Sequence, residues 1–343
     1  MRIARNKTKS EPDFSQMRTI LIIRLGKIGD IVVTSFVFEI IKSNYPQIDI
    51  YLLTLKSNQD VLEFNPRLKK GFYSRNNVTL FWNLLKLKFF KFDLLLDFND
   101  NQSTTSSLIF RFLRAKFKVA YNYKKYKNIL DIKINPLMKN ESHIIERMKD
   151  FLIQLGIPIV EYKVKPFFYL NPTIYTEIKK LKGANEKIIA INLSAGAKIR
   201  YWDKDKWVEL LRLILKEYPS FSLLLLSVDK DESLRNEIHS KLIQTRYPAI
   251  KNLTIQHFAS YIQISDILIT PDTSAVHIAS ALGIPTIVMY PNYNSNFLSW
   301  QPYKIPHRSI KSNTESVKEI SVNEVFDAFQ SLVNENFKKV SKN

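Results

Sequence analysis

Residues 269–290 read ITPDTSAVHIASALGIPTIVMY, which combines an apolar strand, a polar turn, a helix of small residues and a second apolar strand. The proline after the first apolar run has no amide hydrogen for a sheet ladder, so it predicts the end of that strand. Each of the next three residues, Asp272, Thr273 and Ser274, is of a type that caps helices. We therefore predict a helix over residues 274–282 between two strands of one sheet.

The N-terminus of this predicted helix is suited to a phosphate group. Its first amides have no partner within the helix, and the helix dipole favours negative charge at this end. His277 lies about one turn into the helix, near the same end. A capped helix with a hydrogen-bonded histidine and no ligand also explains the stretch, so these residues alone leave both interpretations open.

Apolar runs of strand length alternate with helical patterns along the chain, which predicts parallel sheets. The predicted strands cover residues 19–25, 48–55, 92–98, 187–195, 221–228, 267–270 and 286–290. The clearest predicted helices follow the first strand and cover residues 204–219, 254–266 and 274–282. We therefore predict an α/β protein with two doubly wound halves, and a ligand between them outside the C-terminal ends of the strands.

The composition restricts the kind of partner. The chain has 51 Lys and Arg against 32 Asp and Glu, a formal net charge of +19. Such a field attracts nucleic acid, anionic lipid headgroups or phosphorylated substrates, although a lysine-rich genome would produce the same excess.

The absence of cysteine excludes disulfides and thiolate metal sites. No apolar run reaches the roughly 18 residues of a membrane span, and the polar, basic residues 1–16 predict a flexible extension, not a signal peptide.

Two loops that follow predicted strands contain charged residues. GKIGDIVVT (26–34) opens a helix but lacks the G-x-G-x-x-G pattern, which argues against a nicotinamide dinucleotide. Asp30 either caps this helix or accepts a proton from a hydroxyl bound at the rim of the cleft. SAGAKIRYWDKDKW (194–207) presents Lys198 and Arg200 beside backbone amides, which suits a diphosphate. An ordinary surface loop is the alternative, above all for Lys198.

The triplet DKD (229–231) has the form of a metal-binding D-x-D motif. It lies in the charged turn DKDES, where such triplets are common by chance. No group of His, Asp and Glu residues has spacing typical of a metal site. We therefore predict no metal site.

The stretch TLFWNLLKLKFFKF (79–92) predicts a helix with more apolar surface than one core-facing stripe requires. Its broad apolar face would comprise Phe81, Leu84, Leu85 and Phe89, extended by Trp82 and Phe90, with Lys86, Lys88 and Lys91 among or beside them. The helix either covers the sheet or inserts its outer aromatic residues among lipid headgroups. Residues 111–127, basic and aromatic, could extend the same face.

Four stretches together resemble glycosyltransferase family 9, the ADP-heptose:lipopolysaccharide heptosyltransferases. They are ILIIRLGKIGDIVVTSFVFEIIKSNYPQIDIYLLT (20–54), ESHIIERMKDFLIQLGIP (141–158), INLSAGAKIRYW (191–202) and ITPDTSAVHIASALGIPTIVMY (269–290). Each motif is weak alone, but four in this order are specific. The resemblance covers roughly residues 17–335.

The resemblance implies a GT-B fold, in which two Rossmann-like, doubly wound domains face each other across a cleft. The expected organisation is a flexible extension (1–16), an acceptor-binding domain (17–165), a crossing segment (166–186), a nucleotide-sugar-binding domain (187–320) and a C-terminal helix (321–343) that packs back toward the first domain. It further implies an inverting transfer without metal or cofactor. The expected donor is a nucleotide sugar, ADP-heptose in this family, and the expected acceptor is a lipopolysaccharide core or related surface glycan.

The resemblance also assigns roles to residues. Asp30 falls on the position of the catalytic base. The expected phosphate-binding residues are Arg200, Lys198, Thr273 and Ser274, and the expected donor sugar or nucleotide contacts are Asp272, His277, Asp231 and Leu253. The chain departs from the family pattern at Ser274 for glycine, at Arg200 for lysine, at Ala195-Gly196 for proline-glycine, and at Asp100 for glycine in DFND (97–100).

These expectations place the protein in the cytoplasm, peripheral at the inner face of the inner membrane. The expected partners are a nucleotide sugar, a lipid-linked glycan acceptor and an anionic membrane surface, but no nucleic acid. One alternative is another GT-B enzyme resembling an epimerase, for which no second acid or base is evident. A second alternative is an inactive basic protein that binds membrane or nucleic acid through RFLRAKFKVAYNYKKYKN (111–128).

Overall fold

The computed structural model describes residues 12–126, 128–138, 141–242, 245–246, 253–293 and 296–337. They form two compact units. The first contains the chain up to residue 27 with residues 36–137 and 146–164, and the second contains residues 28–35, 138–145 and the chain from residue 165 onward.

The first unit is built on a six-stranded sheet with the order β3-β2-β1-β4-β5-β6, all neighbours parallel. Its strands are β1 (Thr19–Arg24), β2 (Asp49–Leu55), β3 (Leu68–Ser74), β4 (Phe92–Asp97), β5 (Ala115–Tyr121) and β6 (Ile132–Ile134). The accompanying helices are α1 (Ile28–Asn44), α2 (Gln59–Leu62), α3 (Asn77–Leu87), α4 (Thr104–Phe112) and α5 (Ile144–Gln154). The chain reverses its winding between β1 and β4, which makes their C-terminal ends the switch point of this sheet.

The second unit repeats this plan. Its strands are β7 (Lys187–Asn192), β8 (Phe221–Leu226), β9 (Thr245–Arg246), β10 (Ile267–Pro271), β11 (Thr286–Tyr290) and β12 (His307–Lys311). Their order is β12-β11-β10-β7-β8-β9, again parallel, with the switch point between β7 and β10. The helices are α6 (Pro172–Lys179), α7 (Lys204–Glu217), α8 (Glu232–Ser240), α9 (Ile255–Ile264), α10 (Ser274–Leu282), α11 (Asn296–Ser299) and α12 (Val322–Phe337).

The central strands confirm the prediction of two doubly wound α/β halves. Residues 20–23 of β1 and residues 188–191 of β7 are completely buried. Burial on both faces explains why these strands read as continuous apolar runs without alternation. Within the described residues, the edge strands β3, β6, β9 and β12 escaped prediction, because an edge strand keeps polar residues on its open side. The inner strand β5 escaped prediction as well, because its first half is polar and incompletely buried.

Both ends of the described chain contribute buried residues. Phe14 is buried and stacks on Tyr45, with 5.3 Å between ring centroids, so packing begins inside the expected 1–16 extension, of which residues 1–11 lie outside the described residues. The C-terminal helix α12 was expected to pack back toward the first domain. Its fully buried residues Val325, Phe329 and Leu332 belong to the core of the second unit, because their helical spacing forms one apolar stripe.

None of the helices within the described part of the chain is both long enough and apolar enough to cross a membrane.

Candidate active site

The switch point of the second sheet holds a network of polar side chains. Asn192 is the last residue of β7, and its side-chain amide donates to Thr270 Oγ1 at 2.9 Å and to Thr273 Oγ1 at 3.2 Å. Thr273 is the N-cap of α10, and its hydroxyl accepts from the Ala275 amide at 3.3 Å. Because doubly wound sheets bind ligands where the winding reverses, this network marks the candidate site.

The structure selects one cap from the three candidates after β10. Thr273 is the cap, Ser274 is the first residue of α10, and the Asp272 carboxylate is directed elsewhere. Of the three residues predicted as possible caps, Asp272 therefore does not cap α10. A cap needs an extended backbone whose side chain reaches the first turn, and Thr273, with φ −146° and ψ 178°, has this conformation.

Arg200 lies beside the N-terminus of α10. Its Nη1 donates to the Asp272 carbonyl oxygen at 3.0 Å, and its Nη2 lies 3.4 Å from Oδ2 of the same residue. The guanidinium also donates from Nε to the Tyr293 hydroxyl at 3.1 Å and lies over the Tyr293 ring. Lys198, in the same short 3-10 helix, is exposed. Arg200 is therefore a positioned cation at a helix N-terminus, whereas Lys198 is a surface lysine of the same turn.

The Asp272 carboxyl is largely buried. Burial raises the pKa of Asp272 above its usual value, and the neighbouring Arg200 guanidinium opposes that shift. A buried carboxylate needs such a partner because desolvation disfavours its charge. The pair consequently fixes the loop after β10 and the orientation of Arg200 together.

His277 is buried and neutral. Burial, with a smaller contribution from His143, lowers the pKa of His277 to about 3. Its ring makes an edge contact with Trp300, with 5.5 Å between centroids. A neutral imidazole can donate or accept a hydrogen bond, but it contributes no positive charge toward a phosphate.

The first turn of α1, which carries Asp30, touches this histidine. A Cβ atom added to Gly29 would lie 2.8 Å from His277 Cδ2, closer than real contacts allow. Both residues belong to the second unit, because residues 28–35 group with it. Asp30 lies in the first turn of α1, directly after Gly29, where the helix dipole favours its carboxylate. The contact therefore brings the backbone of the predicted base to α10.

Asp231 is linked to the loop that contains Arg200. The Tyr201 hydroxyl lies 3.0 Å from a carboxylate oxygen of Asp231 and 2.8 Å from the carbonyl oxygen of Ala195. Lys230 Nζ also donates to that carbonyl, at 3.1 Å. These contacts hold the turn after β8 against the loop after β7.

The two remaining predictions concern Leu253 and the D-x-D triplet. Leu253 is half-buried and immediately precedes Thr254, the N-cap of α9; residues 247–252 lie outside the described residues. Asp229 is exposed, while Asp231 faces Tyr201. Within the described ranges, no three His, Asp or Glu side chains come together as potential metal ligands.

The switch point of the first sheet holds a second polar cluster. Asp97, the last residue of β4, is fully buried and accepts a hydrogen bond from the Tyr126 hydroxyl. Burial raises the pKa of Asp97 despite that bond. Asp100, which stands where the family pattern has glycine, pairs with the buried Arg147 at 2.9 Å. The substituted carboxylate thus has a structural partner in the first unit.

Sequence reasoning missed Asn192, Tyr293, Tyr201, Trp300 and the contact of Gly29. Asn192 had one usable signal, since a polar residue at the end of a buried strand is placed at the ligand-binding edge of a sheet. The other residues contact site residues that are distant in sequence, so no local pattern indicates them. Arg200 and Tyr293, for example, are 93 positions apart.

The chain is similar to known proteins along most of its length. The family model described as glycosyltransferase family 9 (heptosyltransferase) matches residues 84–329. A putative lipopolysaccharide heptosyltransferase 4 of Escherichia coli is 24% identical over 96% of this chain and 91% of its own. A family 9 glycosyltransferase of Veillonella parvula has a similar structure, with TM-score 0.81, 14% identity, and coverage of 95% of this chain and 99% of that one.

The E. coli heptosyltransferase WaaC, solved with ADP, matches with TM-score 0.71 and 13% identity over 94% of this chain and 98% of that one. At these identities the solved structures establish the GT-B fold. The family match extends over more than half of the sequence and covers every predicted site residue except Asp30. The chain belongs to glycosyltransferase family 9, the heptosyltransferase family.

Proposed function

We propose that this glycosyltransferase moves a heptose from ADP-heptose to a hydroxyl of a lipopolysaccharide core or related surface-glycan acceptor, with inversion at the anomeric carbon. The transfer would take place at the cytoplasmic face of the inner membrane. Family membership supports the reaction class. The ADP in the WaaC structure supports an adenosine diphosphate donor by analogy with that protein.

One observation carries the proposal for the donor. Arg200 is held at the N-terminus of α10 by Asp272 and Tyr293, so a fixed cation and the positive end of the helix dipole converge on one point. This combination is suited to a diphosphate, whose charge increases as it leaves. Arginine at this position keeps the positive charge that lysine supplies in the family pattern, and its planar guanidinium fixes the direction of its donors.

The proposed reaction is a single displacement. Asp30 accepts the proton of the acceptor hydroxyl while that oxygen attacks the anomeric carbon from the face opposite the diphosphate. The bond between the anomeric carbon and the phosphate oxygen breaks, and its electron pair leaves with ADP. Arg200, with a smaller contribution from Lys198, and the α10 amides at Thr273 and Ser274 stabilise the leaving charge.

The remaining residues would hold the donor. His277, as a neutral group, is assigned a hydrogen bond to the donor. Asp272, already beside Arg200, would accept from a sugar hydroxyl, because a second anion repels the phosphates. Asp231 is assigned to the ribose and Leu253 to the base. We propose no divalent metal, since Arg200 and α10 supply the positive charge.

A donor screen tests the proposal. Purified protein would be incubated with ADP-, UDP- and GDP-linked sugars and a deacylated core acceptor, and products identified by mass spectrometry. We expect an acceptor heavier by one heptose, formed from ADP-heptose alone. Epimerisation of a free nucleotide sugar would favour the epimerase alternative. No turnover, together with no thermal stabilisation by ADP, would indicate an inactive fold, because a ligand at about 100 times its Kd stabilises by about 2.7 kcal/mol.

A further inference from the structure

The outer surfaces of α3 and α4 in the first unit carry large apolar side chains that no core uses. The set, called here the α3/α4 patch, consists of Val78, Phe81, Trp82, Phe89, Leu108 and Phe112. Phe89 is 87% exposed, Trp82 58% and Phe81 53%. Scattered exposed apolar residues are ordinary, but a group of this size on two helices marks an interaction surface.

The core does not need this patch, because both helices already bury another face. Leu80, Leu84 and Leu87 of α3 recur at helical spacing and pack into the same cluster as Ile109, Phe110 and Leu113 near α4. The prediction of which residues form the outer face of α3 was therefore partly wrong. Leu84 points inward, and Phe90 stacks on Phe92 within the aromatic core, with 5.6 Å between ring centroids.

The two helices present one continuous outer surface. Their inward residues share a cluster, which places both helices on the same face of the sheet. Lys88 Nζ, just after α3, lies 5.5 Å from the ring centroid of Phe112 on α4. The patch is thus joined across the two helices by a cation and an aromatic ring.

The charged residues of the two segments that carry the patch are all basic. Segments 75–91 and 104–116 contain basic residues and no acidic residue. The exposed cations are Arg75, Lys86, Lys88, Lys91, Arg111, Arg114 and Lys116, of which Lys116 pairs with Asp93 of β4 at 2.6 Å. Aromatic side chains with interspersed Lys and Arg are typical of protein surfaces that lie in the headgroup region of a membrane.

We propose that the α3/α4 patch docks the protein on a bilayer that contains anionic phospholipid. The aromatic residues enter the headgroup region, and the cations contact lipid phosphates. A second copy of the chain is a poor occupant, because the two patches would set like charges against each other. Nucleic acid is disfavoured because the fold already uses three of the five aromatic residues of the basic segment 111–128. Tyr121 and Tyr126 are completely buried, and the Tyr123 hydroxyl donates to the Asp100 carbonyl oxygen at 2.7 Å.

Vesicle co-sedimentation tests this proposal without reference to catalysis. The full chain would be mixed with phosphatidylcholine vesicles or with vesicles containing phosphatidylglycerol, at about 0.05 M and about 0.5 M NaCl. We expect binding to the anionic vesicles only, with loss at high salt. Replacing Lys86, Lys88 and Lys91 by Gln should weaken binding roughly fivefold for each cation removed.

The aromatic contribution needs a matched control. The variant Phe81→Ser/Trp82→Ser/Phe89→Ser should lose vesicle binding, while Ile153→Ser/Tyr162→Ser, two other exposed apolar sites of the first unit, should bind as the wild type does. Thermal unfolding would establish that each variant is folded. Equal binding by both variants would overturn the proposal, as would a wild type that ignores anionic vesicles at low salt or forms dimers through the patch.

Fluorescence provides a second readout. The chain has four tryptophans, and Trp202 and Trp207 are buried. Anionic vesicles should shift the emission of Trp82 to shorter wavelength as its ring leaves water. Trp82→Phe should keep vesicle binding but lose the shift; a shift that persists in this variant would place another tryptophan, and not the patch, at the membrane.

Discussion

The Cα of Gly29 packs against the His277 imidazole so closely that an added Cβ would lie 2.8 Å from Cδ2. Gly29 precedes the proposed base Asp30, and His277 lies in the first turns of α10, whose N-terminus faces Arg200. The contact leaves no room for a side chain between the two motifs. It ties the position of the base to the position of the proposed donor site.

Gly29→Ala should therefore damage the protein in spite of its helical location. Alanine is favoured over glycine in a helix by up to about 1 kcal/mol, so a loss of stability must come from the clash. We expect a loss of about 1–3 kcal/mol, measured by urea unfolding, together with reduced turnover. Gly183→Ala is the control, because its Cβ would meet the nearest atom at 3.5 Å.

A double-mutant cycle with His277→Ala isolates the contact. The two substitutions should combine with a coupling of at least about 0.5 kcal/mol, because the smaller side chain relieves the clash. Simple additivity would show that Gly29 is needed for another reason.

Asp30→Asn tests the proposed base. The amide keeps the shape of the side chain but cannot take a proton, so turnover should fall by roughly 100-fold or more. ADP binding, measured by calorimetry, should stay at the wild-type level because the proposed donor contacts lie elsewhere. Turnover close to that of the wild type would remove Asp30 from this role.

Arg200→Ala should weaken ADP binding by about 1.5–3 kcal/mol through the loss of charge-assisted hydrogen bonds to phosphate. Arg200→Lys should recover part of the affinity, since it keeps the charge but loses the fork. Lys198→Ala should cost less, because Lys198 is exposed. A normal affinity for Arg200→Ala with a reduced one for Lys198→Ala would reverse the assignment.

His277 should make stability depend on pH. Its pKa is about 3 in the folded protein and about 6.5 when unfolded. As pH falls, His277 is protonated in the unfolded chain before it is protonated in the folded protein. Its contribution to the free energy of unfolding is therefore complete above the unfolded pKa and decreases as pH falls toward 3. Between about pH 7.5 and 5 the loss should be about 2 kcal/mol.

The measurement is the free energy of unfolding as a function of pH, compared with that of His277→Gln. The free energy of unfolding of the glutamine variant should lack the pH dependence that is due to His277, while it retains the pH dependence that is due to the carboxylates. Parallel curves for the two proteins would mean that the histidine is protonated, or free to become so, in the folded state.

Metal dependence provides the last prediction. Transfer should continue in EDTA, because the proposal assigns the leaving charge to Arg200 and α10. Asp229→Asn should have little effect, since Asp229 is exposed. Activity that disappears with EDTA and returns with Mg²⁺ or Mn²⁺ would favour the D-x-D interpretation instead.

The sequence by itself determined the α/β class, the central strands and the helix after β10. Buried parallel strands read as unbroken apolar runs, and helix ends carry local signals such as the Gly283 C-cap, whose φ is 76°. These features depend on residues within a few positions of each other. For the same reason Asp30, Arg200 and the α10 N-terminus could be selected from loops that directly follow predicted strands.

Only the tertiary structure decided which of several neighbouring residues with the same local preference caps a helix, and which is buried or exposed. Thr273, and not Asp272, became the cap because Asn192, from a strand 81 residues earlier, holds its hydroxyl. Phe89 became exposed and Phe90 became part of the core because α3 ends at Leu87 and the chain then turns into β4. In each case neighbouring residues have the same local preference, and long-range packing supplies the energy that separates them.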